Sequence, residues 1–561
     1  MTASIRGRIA ESLHTFREVL RNRNLRRLEA AWAVALTSGW AYSIAIVVYT
    51  FDVGGPGLVG VALAIKLVPA AIASAPLATL ADRHSKKRVL VGAQVGLALS
   101  TVGVAALIAA GGPVALVIAT NCVLGIFQTV LQPAVSATLP SLCERPEELT
   151  AANVVNSTIE SLSIFVGPAI GGLVIGLASS ATLAGITAVG FLVSALLTTL
   201  LPEDAPSASP EGEAADDESP PGFLASVAGG FRVVGRDPGL RLIVGLMAAQ
   251  TFVDGAMGVL TAVAAIELLD SGDAGIGYLN SAVGVGALCG SLVAAGMVGR
   301  RLAPGFAAGL ILWGVPIALI GLLTENFAAL ILFGIVGVGN ILIDVAGLTM
   351  LQRAAPEEMI ARVFGVLETL TLAAVAAGSL VTPLLLEIVG NEATFLIIGA
   401  LLPALAALTW RQLRALDRAR PAPTAALQIL SRLPFFAPLE PEALESVAAR
   451  AEAITTRAGE TVVSQGEPGD RFYVIVSGEL EVLIDGRRAR AEGPGDYFGE
   501  IALLREVPRT ATVIALSDSE LLSVDGDDFV GAVSGHAVGR RRLDAIATAR
   551  LAHMRPALAI H

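Results

Sequence analysis

"PEDAPSASPEGEAADDESPPG", residues 202–222, interrupts a chain of 561 residues that is otherwise mostly apolar. Seven acids and no base lie between Glu203 and Glu218, interleaved with Pro, Ser and Ala. Such a stretch cannot bury enough apolar surface to order itself and reads as a linker. The whole chain is 54% hydrophobic and 16% charged, with a mean hydropathy of +0.71, outside the balance of soluble domains. Apolar runs of about 20 residues, enough to cross a ~30 Å hydrocarbon core, lie on both sides of the linker. They fall near 30–51, 57–79, 89–110, 114–138, 153–177 and 182–201 before it, and near 241–268, 275–298, 304–323, 327–352, 360–386 and 393–413 after it. The expected fold is therefore a mainly α membrane protein of twelve transmembrane helices in two six-helix repeats, 30–201 and 223–415, with 202–222 between them.

Lysine and arginine set the orientation. The N-terminal segment 1–29 carries Arg6, Arg8, Arg17, Arg21, Arg23, Arg26 and Arg27 ahead of the first apolar run, which is not the pattern of a cleavable signal. Ile5, Ile9, Leu13, Phe16 and Leu20 recur there at helical spacing, as in an amphipathic helix lying on membrane lipid. Every second loop is basic, and the intervening turns, such as "FDVGGPG" and "ELLDSGDAG", hold no Lys or Arg. The positive-inside rule then puts both termini and the linker in the cytoplasm of a multi-pass inner-membrane protein. The net charge of −11 is concentrated in the linker and says little about partners; no nucleic-acid partner is expected.

Neither catalysis nor metal binding is expected. No GxxxxGK[ST] loop is present, and Cys122, Cys143 and Cys289 lie far from one another and from the five histidines. Transport would draw on a gradient, so charges inside the spans are the candidates for coupling: Lys66, Glu160, Asp254, Asp344 and Glu368. Glu160 and Glu368 lie about 12 Å inside the cytoplasmic surface at ~1.5 Å per residue. They either carry protons or pair with loop arginines such as Arg83 and Arg362. Asn121, Gln128, Gln132, Asn156, Gln250 and Asn280 are available to line a cavity or to bond between helices.

The halves echo each other: "RPEELTAAN" from Arg145 returns as "APEEMIARV" from Ala355, 210 residues on. Inverted or parallel repeats around a central site are a plan of secondary transporters. The loop "APLATLADRHSKKRVL", residues 75–90, resembles the signature of the major facilitator superfamily, with Ala78 and Ser85 where that family prefers glycine. "LPSLCERPEELTAANVVNSTIESLSIFVGPAIGGLVI", residues 139–175, is similar to its drug-efflux and siderophore-exporter branch. The resemblance spans roughly 25–415. It implies a secondary transporter exporting a small amphipathic substrate, with Asp82, Arg83, Lys86, Lys87 and Arg88 locking the inward face.

Beyond Trp410 the composition changes. A short connection at 416–426 leads into 427–535, where period-2 runs alternate with glycine corners, and 536–561 reads as a helix and tail. The runs predict a β jelly-roll flanked by short helices. Within it, "GDYFGEIALLREVPRTATVIA", residues 495–515, reads as an anion cradle: Gly499 at a helix start, then Arg509 with a forked guanidinium. Glu500 beside an anion calls for a ligand that also offers a hydroxyl. "PFFAPL" from Pro434, "AGETVVSQGEPGDRFYVIVSGELEV" from Ala458 and the cradle together resemble the cyclic-nucleotide-binding domain of kinases, channels and bacterial activators. The resemblance implies that Arg509 and the N–H groups of Ile501 and Ala502 take the phosphate. It gives the ribose 2′-OH to Glu500, and sets Gly499, Thr510 and Ala511 along the pocket. The regulatory ligand is then cAMP or cGMP, with cAMP favoured as the commoner bacterial messenger. Two other readings stay open: a receptor on a transporter-like fold, and a transporter whose C-terminal module holds no ligand.

Overall fold

The computed structural model describes residues 21–83, 85–143, 146–202, 223–294, 297, 301–322, 325–355, 359–419, 424–433, 436, 439, 441–505 and 507–534. The chain divides at Arg420–Pro421 into two compact units. The N-terminal helix and the acidic linker expected from the sequence lie outside the described residues, apart from 21–29 and Pro202.

The first unit is helical. Its elements are α1 (Arg23–Arg83), α2 (Lys86–Ala109), α3 (Val114–Leu142), α4 (Pro146–Leu177), α5 (Ser180–Thr199), α6 (Phe223–Arg236), α7 (Pro238–Val263), α8 (Gly272–Ala294), α9 (Ala303–Ile320), α10 (Asn326–Ala354) and α11 (Ile360–Ala419). A π turn, Ala264–Leu268, extends α7. Among the described residues ten of these helices are long and apolar enough to cross a membrane, and this corrects the expected twelve. The reason is local. The turns expected after residues 51 and 386 do not open into loops; helix runs up to both sides of Gly54–Gly55 in α1 and of Gly390 in α11. Only those glycines leave helical geometry, Gly55 at φ +61° and Gly390 at φ +79°.

Side chains close the helix ends where the sequence supplies them. Ser85 accepts from the Arg88 N–H, Ser179 from Thr182, and Asp237 from Gly239 and Leu240 with Pro238 behind it. Asp417, near the end of α11, accepts from the backbone N–H of Leu302 at 3.2 Å and Ala303 at 3.4 Å, so one helix caps the start of another. Close packing rests on small residues, as in lipid-embedded bundles. A Cβ at Gly286 of α8 would run into the Gly334 carbonyl of α10, and one at Gly255 of α7 into that of Val375 in α11. One apolar core joins Leu25, Trp32, Leu97, Leu124 and Phe191; a larger one joins Ile243, Phe306, Phe333, Val363 and Phe395.

The second unit is a small antiparallel β domain. Helices α12 (Thr424–Leu430) and α13 (Pro441–Arg450) precede β1 (Glu452–Thr456), β2 (Thr461–Val463), β3 (Arg471–Ser477), β4 (Leu480–Ile484), β5 (Arg487–Glu492) and β6 (Tyr497–Phe498). Then come α14 (Glu500–Arg505), β7 (Thr512–Ala515), β8 (Ser519–Asp525) and α15 (Gly526–Ser534). The strands form two separate four-stranded sheets, β1-β8-β3-β6 and β2-β7-β4-β5. The expected jelly-roll is therefore corrected as well: the sheets do not curl into one closed, continuously hydrogen-bonded roll, because strands of two to seven residues leave each sheet with its own edges. Period-2 alternation on β3 builds both cores. Phe472 and Val474 pack with Phe436 and Phe529 of the helical layer, while Tyr473 and Ile475 pack with Val482, Val513 and Phe498. The Phe472 and Phe529 rings stack at 4.5 Å.

Candidate functional site

In the β domain, pairing of β6 with β3 sets Phe498 opposite Tyr473, and the chain then turns at Gly499 with φ +96°. The turn delivers Glu500, 1% exposed, and buried Ile501 and Ala502 into the one-turn helix α14. The strand connection 507–511 returns beside it. Its backbone is pinned by Arg509 N–H to Glu467 O at 2.7 Å and Gly466 N–H to Arg509 O at 2.8 Å. A small cleft results, lined by Gly499, Glu500, Ile501, Ala502, Arg509, Thr510 and Ala511, with Val463, Val482, Arg490, Phe498 and Val513 completing the wall. All seven residues singled out in the sequence for the nucleotide cradle thus come together.

Arg509 is 4% exposed, and its guanidinium is held from three sides. Nη2 donates to Asp470 Oδ1 at 3.0 Å and to the Arg471 carbonyl at 2.9 Å; Nη1 donates to the Gly499 carbonyl at 3.4 Å. Its carbon lies 5.8 Å from the centre of the Tyr473 ring, a cation–π arrangement. Burial pushes the Tyr473 phenol above its ordinary range; Asp470 adds to the shift and Arg509 opposes it. A buried cation whose one carboxylate partner among the described residues is exposed is suited to take up a second anion.

In the helical unit the candidate charges fall into separate places. Lys66 is half-buried, with its stem across the notch at Gly125 and Cys122 facing it. Glu160 accepts from Gln132 Nε2 at 3.2 Å, whereas Glu368 is exposed. Asp254 on α7 and Asp344 on α10 lie near enough to interact electrostatically. One turn before each, Gln250 Nε2 donates to Asn340 Oδ1 at 3.2 Å, so α7 and α10 share a polar ladder. Asp254 is exposed on α7. Asn121 accepts from the Tyr42 hydroxyl at 3.2 Å, and Asn280 donates back to the Ile276 carbonyl. Of the loop charges, Lys86 donates to Ala137 O at 2.9 Å and Lys87 to Leu201 O at 2.5 Å, near the C-terminal ends of α3 and α5. Arg88 lies in the first turn of α2, its N–H donating to Ser85. The side chains of Asp82 and Arg83 lie outside the described residues.

Two groups escaped the sequence reading. Glu29 on α1 is 4% exposed; among the described residues neither carboxylate oxygen meets a donor at hydrogen-bonding geometry, and Asn156 and Glu160 lie close to it. Assignment of 1–29 to a cytoplasmic segment hid it. Arg490 on β5 lines the cleft, and only strand register reveals that. Among the described residues no group of His, Cys, Asp and Glu is arranged to hold a metal.

Comparison with known proteins separates the two units. The family profile of the Major Facilitator Superfamily matches residues 30–366 and 246–458, and that of the cyclic nucleotide-binding domain matches 454–536. An uncharacterized protein of Mycobacterium tuberculosis is 41% identical over 127 residues, 23% of each chain. The cAMP-dependent protein kinase regulatory subunits of Aspergillus niger and Yarrowia lipolytica are 37% and 40% identical over 106 and 94 residues, 18% and 17% of this chain. The match spans about a quarter of the length of each of these relatives. Among solved structures, the regulatory domain of Toxoplasma gondii PKA with cAMP aligns at 34% identity, covering 22% of this chain and 48% of that one, with a TM-score of 0.21. With most of its length matched by one family profile, and a nucleotide-binding-type domain after it, the chain belongs to the Major Facilitator Superfamily.

Proposed function

We propose that this is a secondary transporter whose β domain binds a 3′,5′-cyclic nucleotide and thereby biases transport. The observation that carries the reading is the convergence of residues 499–502 and 509–511 on one cleft around the restrained guanidinium of Arg509. In this reading Arg509, with the N–H groups of Ile501 and Ala502, holds the phosphodiester, whose single charge its fork matches. Glu500 accepts from the ribose 2′-OH; Thr510 and Ala511 lie against the rest of the ligand, and Gly499 leaves the backbone bare. The names of the kinase regulatory subunits bring cAMP forward as one ligand, and cGMP is the other.

The transport half is read as exporting a small amphipathic compound through the inner membrane, with both termini cytoplasmic. Protons are the coupling ion, carried on Glu160, Glu368, Asp254 or Asp344, with Lys66 as a further charge in the pathway. Asp82, Arg83, Lys86, Lys87 and Arg88 steady the cytoplasmic side. The working division is 1–29, 30–201, 202–222, 223–415, 416–426, 427–535 and 536–561. Calorimetry of the purified full-length protein against cAMP and cGMP is expected to give saturable binding. Substrate counterflow in proteoliposomes is expected to change rate when nucleotide is added on the cytoplasmic side. Saturable binding with an unchanged rate would sink the regulatory reading, and absent counterflow the transport reading.

A further inference from the structure

Helix α7 begins, and the stretch of α11 after Gly390 ends, at one face of the helical unit, where Leu416 lies against Gly239. From that contact the two helices leave a groove, lined among the described residues by α7 and α11 alone. Leu242 forms one wall and Leu405 with Leu416 the other. Gly245 leaves the floor bare: it is exposed, and a Cβ built there would meet nothing within 4 Å. The charge around the groove is one-sided. Residues 232–246 and 405–418 hold six arginines, two aspartates and no other charged residue. Both aspartates are engaged with backbone, Asp237 with the N–H groups of Gly239 and Leu240, Asp417 with those of Leu302 and Ala303. The six arginines are exposed, and one of them, Arg241, lines the groove. Its Nη1 donates to the Gly235 carbonyl at 3.3 Å, which uses one of the five N–H donors of a guanidinium. The Arg414 guanidinium carbon lies 5.4 Å from the centre of the Trp410 ring, and such a pair settles at the level of lipid headgroups. At ~1.5 Å per residue, Gly245 lies about 6 Å deeper than Arg241 and Leu405 about 7 Å deeper than Trp410. The groove therefore runs from headgroup level into hydrocarbon.

We propose that the α7–α11 groove holds one anionic phospholipid, its phosphate on Arg241 and an acyl chain over Gly245. The inference uses only the membrane-spanning fold and stands apart from the readings of transport and of nucleotide binding. Lipid tails are as apolar as leucine, so hydrocarbon in the groove gains little over bulk lipid. Headgroup charge then decides which lipid stays. An arginine at the surface favours an anionic over a zwitterionic headgroup by about 5-fold. Arg241 adds a planar fork that fits a phosphate with two parallel bonds. Gln412, in the same lining, offers an amide to the glycerol ester oxygens. A soluble phosphate would meet the same arginine but leave Leu242, Gly245 and Leu405 uncovered, so the groove fits the phosphate and the chain together.

The test is native mass spectrometry of the full-length protein, released from detergent micelles that carry equal amounts of phosphatidylglycerol and phosphatidylcholine. Wild type is expected to retain one phosphatidylglycerol, preferred over phosphatidylcholine by about 5-fold or more. Arg241→Gln is expected to lower that preference by about 5-fold. Gly245→Phe, which fills the floor and changes no charge, is expected to abolish retention. Arg411→Gln, an exposed arginine outside the lining, is expected to keep the one bound lipid. Excess glycerol phosphate is expected not to displace it. Equal retention of the two lipids by wild type overturns the proposal, and that comparison needs no variant to fold. A preference that survives in Gly245→Phe would belong to the arginines of the rim at large and overturns the groove. Displacement by glycerol phosphate would make this a site for a soluble anion and overturns the lipid. No nucleotide or transport substrate is present in any arm, so none of these outcomes bears on the cleft of the β domain.

Discussion

At Gly499 a methyl group would meet Arg509 Nη1 at 2.7 Å and the Arg471 carbonyl at 2.8 Å, on a backbone already at φ +96°. Gly499→Ala is therefore expected to destabilise the β domain by about 1–3 kcal/mol and to displace the arginine. Thermal unfolding and nucleotide titration of the same sample would register both effects. Arg509→Ala should weaken nucleotide binding by about 2–5 kcal/mol, since it leaves a desolvated phosphate without its partner. Arg509→Lys should recover only part of that, because an ammonium keeps the charge and loses the fork. Calorimetry that gave lysine full affinity would remove bidentate recognition from the account. These residues were legible because a turn glycine, an acid and an arginine stand within eleven positions of one another. Arg490 was not: "RRARAE" reads as a solvated edge until its pairing with Leu480 and Val482 turns positions 490 and 492 inward. Glu29 was hidden for another reason. It follows a run of arginines, and nothing in that pattern says that the helix has already entered the packed bundle.

Among the elements, the apolar runs were legible because hydrophobic length is what a membrane selects. The errors came at turns. A short, base-free glycine turn looks the same in sequence whether it opens into a loop or only breaks a helix, and Gly54–Gly55 and Gly390 do the latter. Glycine spacing inside helices carries more. Gly286→Ala, which forces α8 away from the Gly334 carbonyl of α10, is expected to cost about 1–3 kcal/mol as overpacking does. Gly245→Ala, with nothing within 4 Å of the added carbon, should be neutral or slightly stabilising. Detergent-solubilised melting curves of the pair would check this; equal losses would mean that the α8–α10 contact does not hold the bundle. In the β domain, the presence of short strands between glycine corners was legible from alternation, while their number and their grouping into two sheets depend on non-local pairing such as β1 with β8.

For the molecule as a whole, linkage supplies the sharpest expectation. If nucleotide shifts the transporter between states, substrate must shift nucleotide affinity by the same factor, and calorimetry with and without substrate would measure it. Coupling to protons makes a separate demand. Glu160→Gln is expected to abolish gradient-driven uptake and to spare downhill exchange. Glu29→Gln, on the carboxylate close to it, is expected to alter the pH dependence of the same uptake. Loss of exchange in both would recast the two acids as structural. Finally, Asp417 ties the end of the helical stretch that follows Gly390 in α11 to the first turn of α9, its carboxylate accepting from two backbone N–H groups. Mechanically that is a clamp on a lever. A twist applied to α11 beyond Asp417 would be handed to α9 within a few residues. Cutting the clamp with Asp417→Ala should leave the nucleotide bound and the transporter running, but deaf to it.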